Sequence, residues 1–212
     1  MIRIKELVEF IGNYKNIADV GCDHGYLIIE AFKKYELNSA IAIDNKKGPL
    51  NQAIENIKKY DFYNNVRFSL SSGIKDIDDI TEVVVIAGMG GMLISDILND
   101  DLKNVQRLIL QPNRDIREVR SKISSLNFKI VNEKVIFENG KYYEIITCDK
   151  INDNVFYTEE ELEFGPILLK EKNNMFIQKW NNEIEKLENI LKNTEIQDSI
   201  NKKIERIKNI IC

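Results

Sequence analysis

From its first residues to about position 150, the chain alternates short, β-branched apolar runs with segments whose apolar residues recur every three or four positions. That alternation constrains the fold more than any other feature, because it is the pattern of an α/β sheet assembled from βαβ units. The strand candidates are IADVG, SAIAID, VRFSL, EVVVIAG, RLILQ, FKIVNEKVIF and YYEIITC. Between them, YLIIEAFKKYEL, GPLNQAIENIKKY, GMLISDILND and DIREVRSKISSL carry helical spacing. Only Glu138-Asn139-Gly140-Lys141 separates the last two strands, and its Asn-Gly pair predicts a tight β-hairpin. The sheet is therefore expected to close with an antiparallel pair.

From about residue 158 the composition shifts to Glu, Lys, Asn, Leu and Ile, and the strand signal ends. Trp180, Ile184, Leu187 and Leu191 form one apolar seam, and Ile200, Ile204, Ile207 and Ile211 form another. With NTEIQDS between them, these seams predict an antiparallel, coiled-coil-like helical hairpin. The expected division is 1–154 for the α/β part and 155–212 for a helical appendage, with a polar hinge candidate at Lys150 to Asn154.

The net charge of -4 argues against binding nucleic acid through bulk electrostatics, so any such contact needs a local basic face. No apolar run approaches the roughly 20 residues of a membrane span, and MIRIKELVEF lacks a signal-peptide core. The expectation is a cytoplasmic protein without membrane contact, monomeric, with a dimer left open. Cys22, Cys148 and Cys212 have neither disulfide-framework nor zinc spacing, so reduced thiols and no metal are expected.

The stretch ADVGCDHGYL contains the sole histidine and leaves the first strand candidate through two glycines. Gly21 and Gly25 allow backbone N–H groups and a helix N-terminus to approach a ligand. The spacing fails the G-x-G-x-x-G dinucleotide fingerprint, because Asp23 stands in place of the middle glycine. It reads instead as a degenerate D-x-G-x-G-x-G turn, which seats the methionine end of S-adenosylmethionine with Asp19, Gly21, Cys22, Asp23 and Gly25. A plain strand-to-helix turn is the alternative. Asp44, followed by Asn45, closes the next strand candidate, where a carboxylate can accept from both ribose hydroxyls of an adenosine or cap the following helix. Ser72 and Gly73 are expected beside the adenine. Ala87, Gly88, Met89, Gly90 and Gly91 leave the fourth strand in a glycine loop that admits a flat base to the reacting carbon. Gln111, Pro112 and Asn113 reach the same edge, with Asn113 either capping the next helix or acting in catalysis. The antiparallel finish also favours the methyltransferase version of a Rossmann-like sheet over a dinucleotide-binding one.

Taken in order, ADVGCDHGYL, IAGMGG and LILQPN, followed by a terminal hairpin and helical extension, resemble the bacterial tRNA (adenine-22-N1)-methyltransferase family over essentially the whole chain. The resemblance implies a class I methyltransferase domain, S-adenosyl-L-methionine as donor, tRNA as partner and a C-terminal helical part that helps hold it. Adenine N1 can attack the sulfonium methyl in line, so proximity and orientation carry the reaction and no covalent nucleophile is needed. Methylation leaves a cationic base unless a proton leaves the exocyclic amine. Asp23 is the first candidate to receive that proton, with a hydrogen bond to the cofactor's amino group as its alternative; His24 ranks below it, and Asn113 offers an amide acceptor. Tyr26 is the candidate ring for stacking on the flipped base. Lys103, Arg107, Arg114, Arg117, Arg120 and Lys122 concentrate positive charge, and Arg114, Arg117 and Arg120 at three-residue spacing suggest a basic stripe for phosphates. The acidic segment from Asp76 to Asp101 should steer RNA away. The competing classes are a methyltransferase acting on a small molecule or protein, a non-catalytic tRNA-binding module and a dehydrogenase.

Overall fold

The computed structural model describes residues 1–102, 104–192 and 197–212. In chain order the strands are β1 (Asn16–Val20), β2 (Ser39–Asp44), β3 (Val66–Leu70), β4 (Val83–Met89), β5 (Arg107–Pro112), β6 (Phe128–Glu138) and β7 (Lys141–Lys150). The helices are α1 (Ile2–Glu9), α2 (Tyr26–Lys34), α3 (Lys47–Ile57), α4 (Gly91–Ile97), α5 (Ile116–Ser124), α6 (Glu159–Phe164), α7 (Leu168–Glu171), α8 (Asn174–Leu191) and α9 (Gln197–Ile211). Among the described residues the sheet has seven strands in the order β3-β2-β1-β4-β5-β7-β6. The first five are parallel, and β7 runs antiparallel to both β5 and β6. Asn139 and Gly140, at φ 51° and 76°, turn the closing hairpin as its Asn-Gly pair predicts.

The central strands are apolar along nearly their whole length because helices cover both faces. Leu7 and Val8 of α1, Ile28 of α2 and Ala53 of α3 pack on one face with Ile17, Val83 and Val85. Ile94 of α4 and Val119 and Ile123 of α5 pack on the other with Ala18, Val84 and Leu108. Helix α1 is an element that MIRIKELVEF does not announce, being short and interrupted by charge.

The C-terminal helices form a third apolar cluster in which Trp180, Ile184 and Leu187 of α8 meet Ile204 and Ile207 of α9. Val135 of β6 joins it, so this layer rests on the sheet. The Trp180 ring lies 4.7 Å from that of Phe164. Of the connecting segment NTEIQDS, residues 193–196 lie outside the described residues.

Candidate active site

Strand order places β1 at the point where the sheet's connections reverse direction, which opens a crevice above the carboxyl ends of β2, β1 and β4. The turn after β1 fills that position. Gly21 and Cys22 both donate backbone N–H bonds to the Ile43 carbonyl, at 2.8 and 3.0 Å, and Gly25 N donates to the Cys22 carbonyl at 2.7 Å. Gly21 has φ 80°, and a Cβ there would stand 2.3 Å from Cε of Met89. The turn therefore needs glycine both for its backbone and for the close passage of Met89. Asp23 adopts φ 47°, a left-handed conformation in which Asp is one of the few tolerated side chains.

Asp44 fastens this turn to the end of β2. Its Oδ2 accepts from Asp23 N at 3.3 Å and its Oδ1 accepts from Lys46 N at 2.9 Å. Each oxygen keeps acceptor capacity for a ligand hydroxyl. Lys46 is the residue that flanks the start of α3, so Asp44 contacts the helix entrance and faces the crevice at once.

Two cavities open along the crevice. The larger, about 570 Å³, is lined by Asp44, Asn45, Ser72, Gly73 and, unforeseen from the sequence, Lys75, Asp96 and Asp100. The smaller, about 400 Å³, is lined by Asp19, Cys22, His24, Tyr26, Gly88 and, again unforeseen, Arg3. Gly21, Asp23 and Met89 line both, so the cavities adjoin there. Asp96 and Asp100 come from the segment expected only to repel RNA; two carboxylates one helical turn apart, just after the glycine loop, were the available signal.

Asp19 is the electrostatic anomaly of the smaller cavity. Its Oδ2 is buried without a hydrogen-bond partner among the described residues. Burial, reinforced by the neighbouring carboxylates of Asp44 and Asp23, pushes its pKa up to about 7. A cationic ligand group beside it would relieve both the desolvation and the repulsion. Burial likewise pushes the Cys22 thiol up, which keeps it protonated and unreactive.

His24 and Tyr26 stand on the rim, their rings stacked with centroids 5.6 Å apart. His24 Nε2 lies 3.6 Å from Oδ1 of the exposed Asp23. Gly88, at φ 78°, has no atom within 4 Å of the position a Cβ would take, which leaves open space at the cavity wall. Ala87 lines the smaller cavity beside it. Gly90 lies against the Arg114 side chain, whose Nε would stand 3.2 Å from an added Cβ. Gly91 has a different role from the one expected: a Cβ there would meet the Asp115 carbonyl at 2.2 Å, so this glycine packs α4 against the loop before α5.

That loop holds Asn113, which does not cap α5; Asp115 flanks that helix start. Asn113 Nδ2 donates to the Gly88 carbonyl at 2.6 Å, and Gln111, fully buried, donates through Nε2 to the Pro112 carbonyl and to Asn113 Oδ1.

The expected basic stripe is corrected. Arg120 is fully buried: Nε donates to Glu133 at 2.8 Å, Nη2 pairs with Glu144, and Nη1 donates to the Leu162 and Glu163 carbonyls at 3.1 and 3.2 Å. Lys179 of α8 pairs with the same Glu144. Glu144 is held below the usual carboxylate range because Lys179 and Arg120 outweigh its burial, whereas burial dominates at Glu133 and raises it. Arg107 is bound to Asp149 at 2.6 and 2.8 Å. Arg114 is 80% exposed, and Arg117 bonds Glu118 and Glu159 at 3.1 and 2.7 Å, so these two remain on the surface. Lys103 lies outside the described residues.

Among the described residues there is no group of three or more His, Cys, Asp or Glu placed to hold a metal ion, and no helix is long and apolar enough to cross a membrane.

Residues 17–211 match the family model described as tRNA (adenine(22)-N(1))-methyltransferase. The Bacillus subtilis protein of that name is 31% identical over 196 residues, covering 89% of this chain and 82% of its own. The Streptococcus pneumoniae protein Sp1610, a candidate tRNA (m1A22) methyltransferase solved in complex with S-adenosyl-L-methionine, superposes with a TM-score of 0.92 at 34% identity, over 100% of this chain and 99% of that one. TrmK of M. capricolum, solved with S-adenosyl-homocysteine, gives 0.88 at 30% identity over 100% and 97%.

Proposed function

This chain belongs to the tRNA (adenine(22)-N(1))-methyltransferase family, and on that premise we propose that its larger cavity takes the adenosine half of S-adenosylmethionine and its smaller one the methionine half and the target adenine. The observation that carries this reading is the pair of adjoining cavities, which share Gly21, Asp23 and Met89 and present Asp44 in one and Asp19, with its unpartnered Oδ2, in the other. The residues fit the cofactor. Asp44 has acceptor capacity for two ribose hydroxyls, Asp96 and Asp100 offer acceptors to an adenine amine, and Asp19 offers a buried partner to an ammonium. S-adenosylmethionine supplies an electrophilic methyl group when bound.

The protein's own contribution is placement and proton handling. His24 and Tyr26 offer a stacking surface for a flipped purine, and the open wall at Gly88 lets its edge approach. Asp23 stands at the junction of the cavities with its backbone held by Asp44, and its exposed carboxylate is the acceptor for a proton leaving the exocyclic amine. His24, 3.6 Å away, is placed to share that proton. The substrate tRNA lies along Arg114 and Arg117, residues 1–154 carry the chemistry, residues 155–212 extend the RNA contact, and the protein works in the cytoplasm.

Incubation with labelled S-adenosylmethionine and unmodified tRNA, followed by nucleoside mapping, tests the reading. Label is expected in N1-methyladenosine at position 22. Label absent from tRNA but present in protein or small-molecule acceptors overturns it.

A further inference from the structure

Arg3 enters the site from α1, far in sequence from the motifs around it. It lines the smaller cavity, its guanidinium lies 4.9 Å from the centre of the Tyr143 ring, and its Nη1 donates to Gln111 Oε1 at 3.2 Å. From there a chain of amides leads back to the cavity. Gln111 Nε2 donates to Asn113 Oδ1 at 3.1 Å, and Asn113 Nδ2 donates to the carbonyl of Gly88, another cavity-lining residue. Arginine has only donors, and the carbonyls of Pro112 and Gly88 only accept. The direction of every bond is thus fixed from both ends. Gln111 must turn its oxygen to Arg3, which turns its nitrogen to Pro112 and Asn113; Asn113 must then turn its nitrogen to Gly88.

We propose that Arg3 is a positioning residue that, through Gln111 and Asn113, keeps carbonyl oxygens at the cavity edge and so selects a base whose exocyclic group is a hydrogen-bond donor. The inference rests on the active-site reading above. Asn113 Oδ1 and the Gly88 carbonyl each have a second lone pair, and an adenine amine can donate to such an edge, whereas a base bearing oxygen there meets an acceptor with an acceptor. Without Arg3, the buried Gln111 oxygen loses its donor; the Pro112 and Gly88 carbonyls still orient the two amides, but the chain loses its outer anchor and the edge its fixed position.

A double-mutant cycle between the protein and the base tests this. Two tRNAs are compared, one with adenosine at the target and one with purine riboside, which lacks the 6-amino group. Each is methylated by the wild type, Arg3→Met, Arg3→Lys and Gln111→Glu, with cofactor affinity measured alongside. Loss of the amine is expected to lower kcat/KM of the wild type about tenfold and that of Arg3→Met by about threefold, the remainder reflecting the amine proton that Asp23 accepts in both. Arg3→Lys, which keeps a donor, should restore part of the discrimination. Gln111→Glu keeps Arg3 engaged but cannot donate to Asn113, so it should lose discrimination too; it provides the comparison if Arg3→Met fails to fold. Undiminished discrimination in variants with intact cofactor affinity overturns the proposal while leaving the active-site reading standing. A wild type that methylates neither tRNA removes both.

Discussion

In the proposed site, the buried Asp19 carboxyl couples stability to pH and would couple both to ligand binding. Its folded pKa of about 7 lies above the 3.8 of an unburied aspartate, so the folded protein holds this proton more tightly than the unfolded chain does. Its contribution to stability is therefore present below about pH 4, declines as pH rises through 7, and amounts to about 4 kcal/mol when fully lost. Thermal unfolding of the ligand-free protein between pH 4 and 8 should show this downward trend, and Asp19→Asn should flatten it. The same substitution should weaken S-adenosylmethionine binding most at high pH, where the wild-type carboxyl is charged. An unchanged pH slope in the variant would contradict this account.

At the scale of elements, α5 explains both a success and a failure of sequence reading. Its strand neighbours were legible because β-branched runs such as VVVI and LIL are buried on both faces, and composition alone marks such a strand. The three-residue repeat of arginines was misleading because Arg114 precedes the helix, while Arg120 falls within the core stripe Ile116, Val119, Arg120 and Ile123. The turn could be read from its glycines because positive φ favours them locally, and Asp44 could be singled out because an acid closes that strand. Arg3 was not legible, since only tertiary folding brings it to the crevice, and Asp96 and Asp100 left no more signal than their spacing after the glycine loop. Arg120 now joins α5 to both strands of the hairpin and to α6, with Glu144 passing the connection to α8. Removing one partner of a buried ion network strands the others without compensation. Arg120→Ala should therefore lower unfolding free energy by about 3–5 kcal/mol, measured by denaturant titration. Lys122→Ala, at a half-buried position of the same helix whose ammonium bonds the Asn99 side chain, should cost far less.

For the whole molecule, a net charge of -4 means that affinity for an anionic RNA must come from a confined patch. Arg117, in the proposed patch, already bonds Glu118 and Glu159, so a phosphate bound there would have to displace those carboxylates. In tRNA binding measured across salt concentrations, Arg117→Ala should reduce the slope of log affinity against log salt by about 1 without changing cofactor affinity. A slope equal to that of the wild type would remove Arg117 from the interface.

The position of β7 also sets a timetable for synthesis. Among the described residues it is the last strand in the chain, but it lies between β5 and β6, which pair with it and not with each other. A nascent chain that has only reached Glu138 carries β5 as an open, apolar edge and β6 without a neighbour, a state prone to pairing with other chains. Only a dozen more residues close the sheet, so the hazard is brief. The Asn-Gly turn limits it further by holding the start of β7 beside the end of β6.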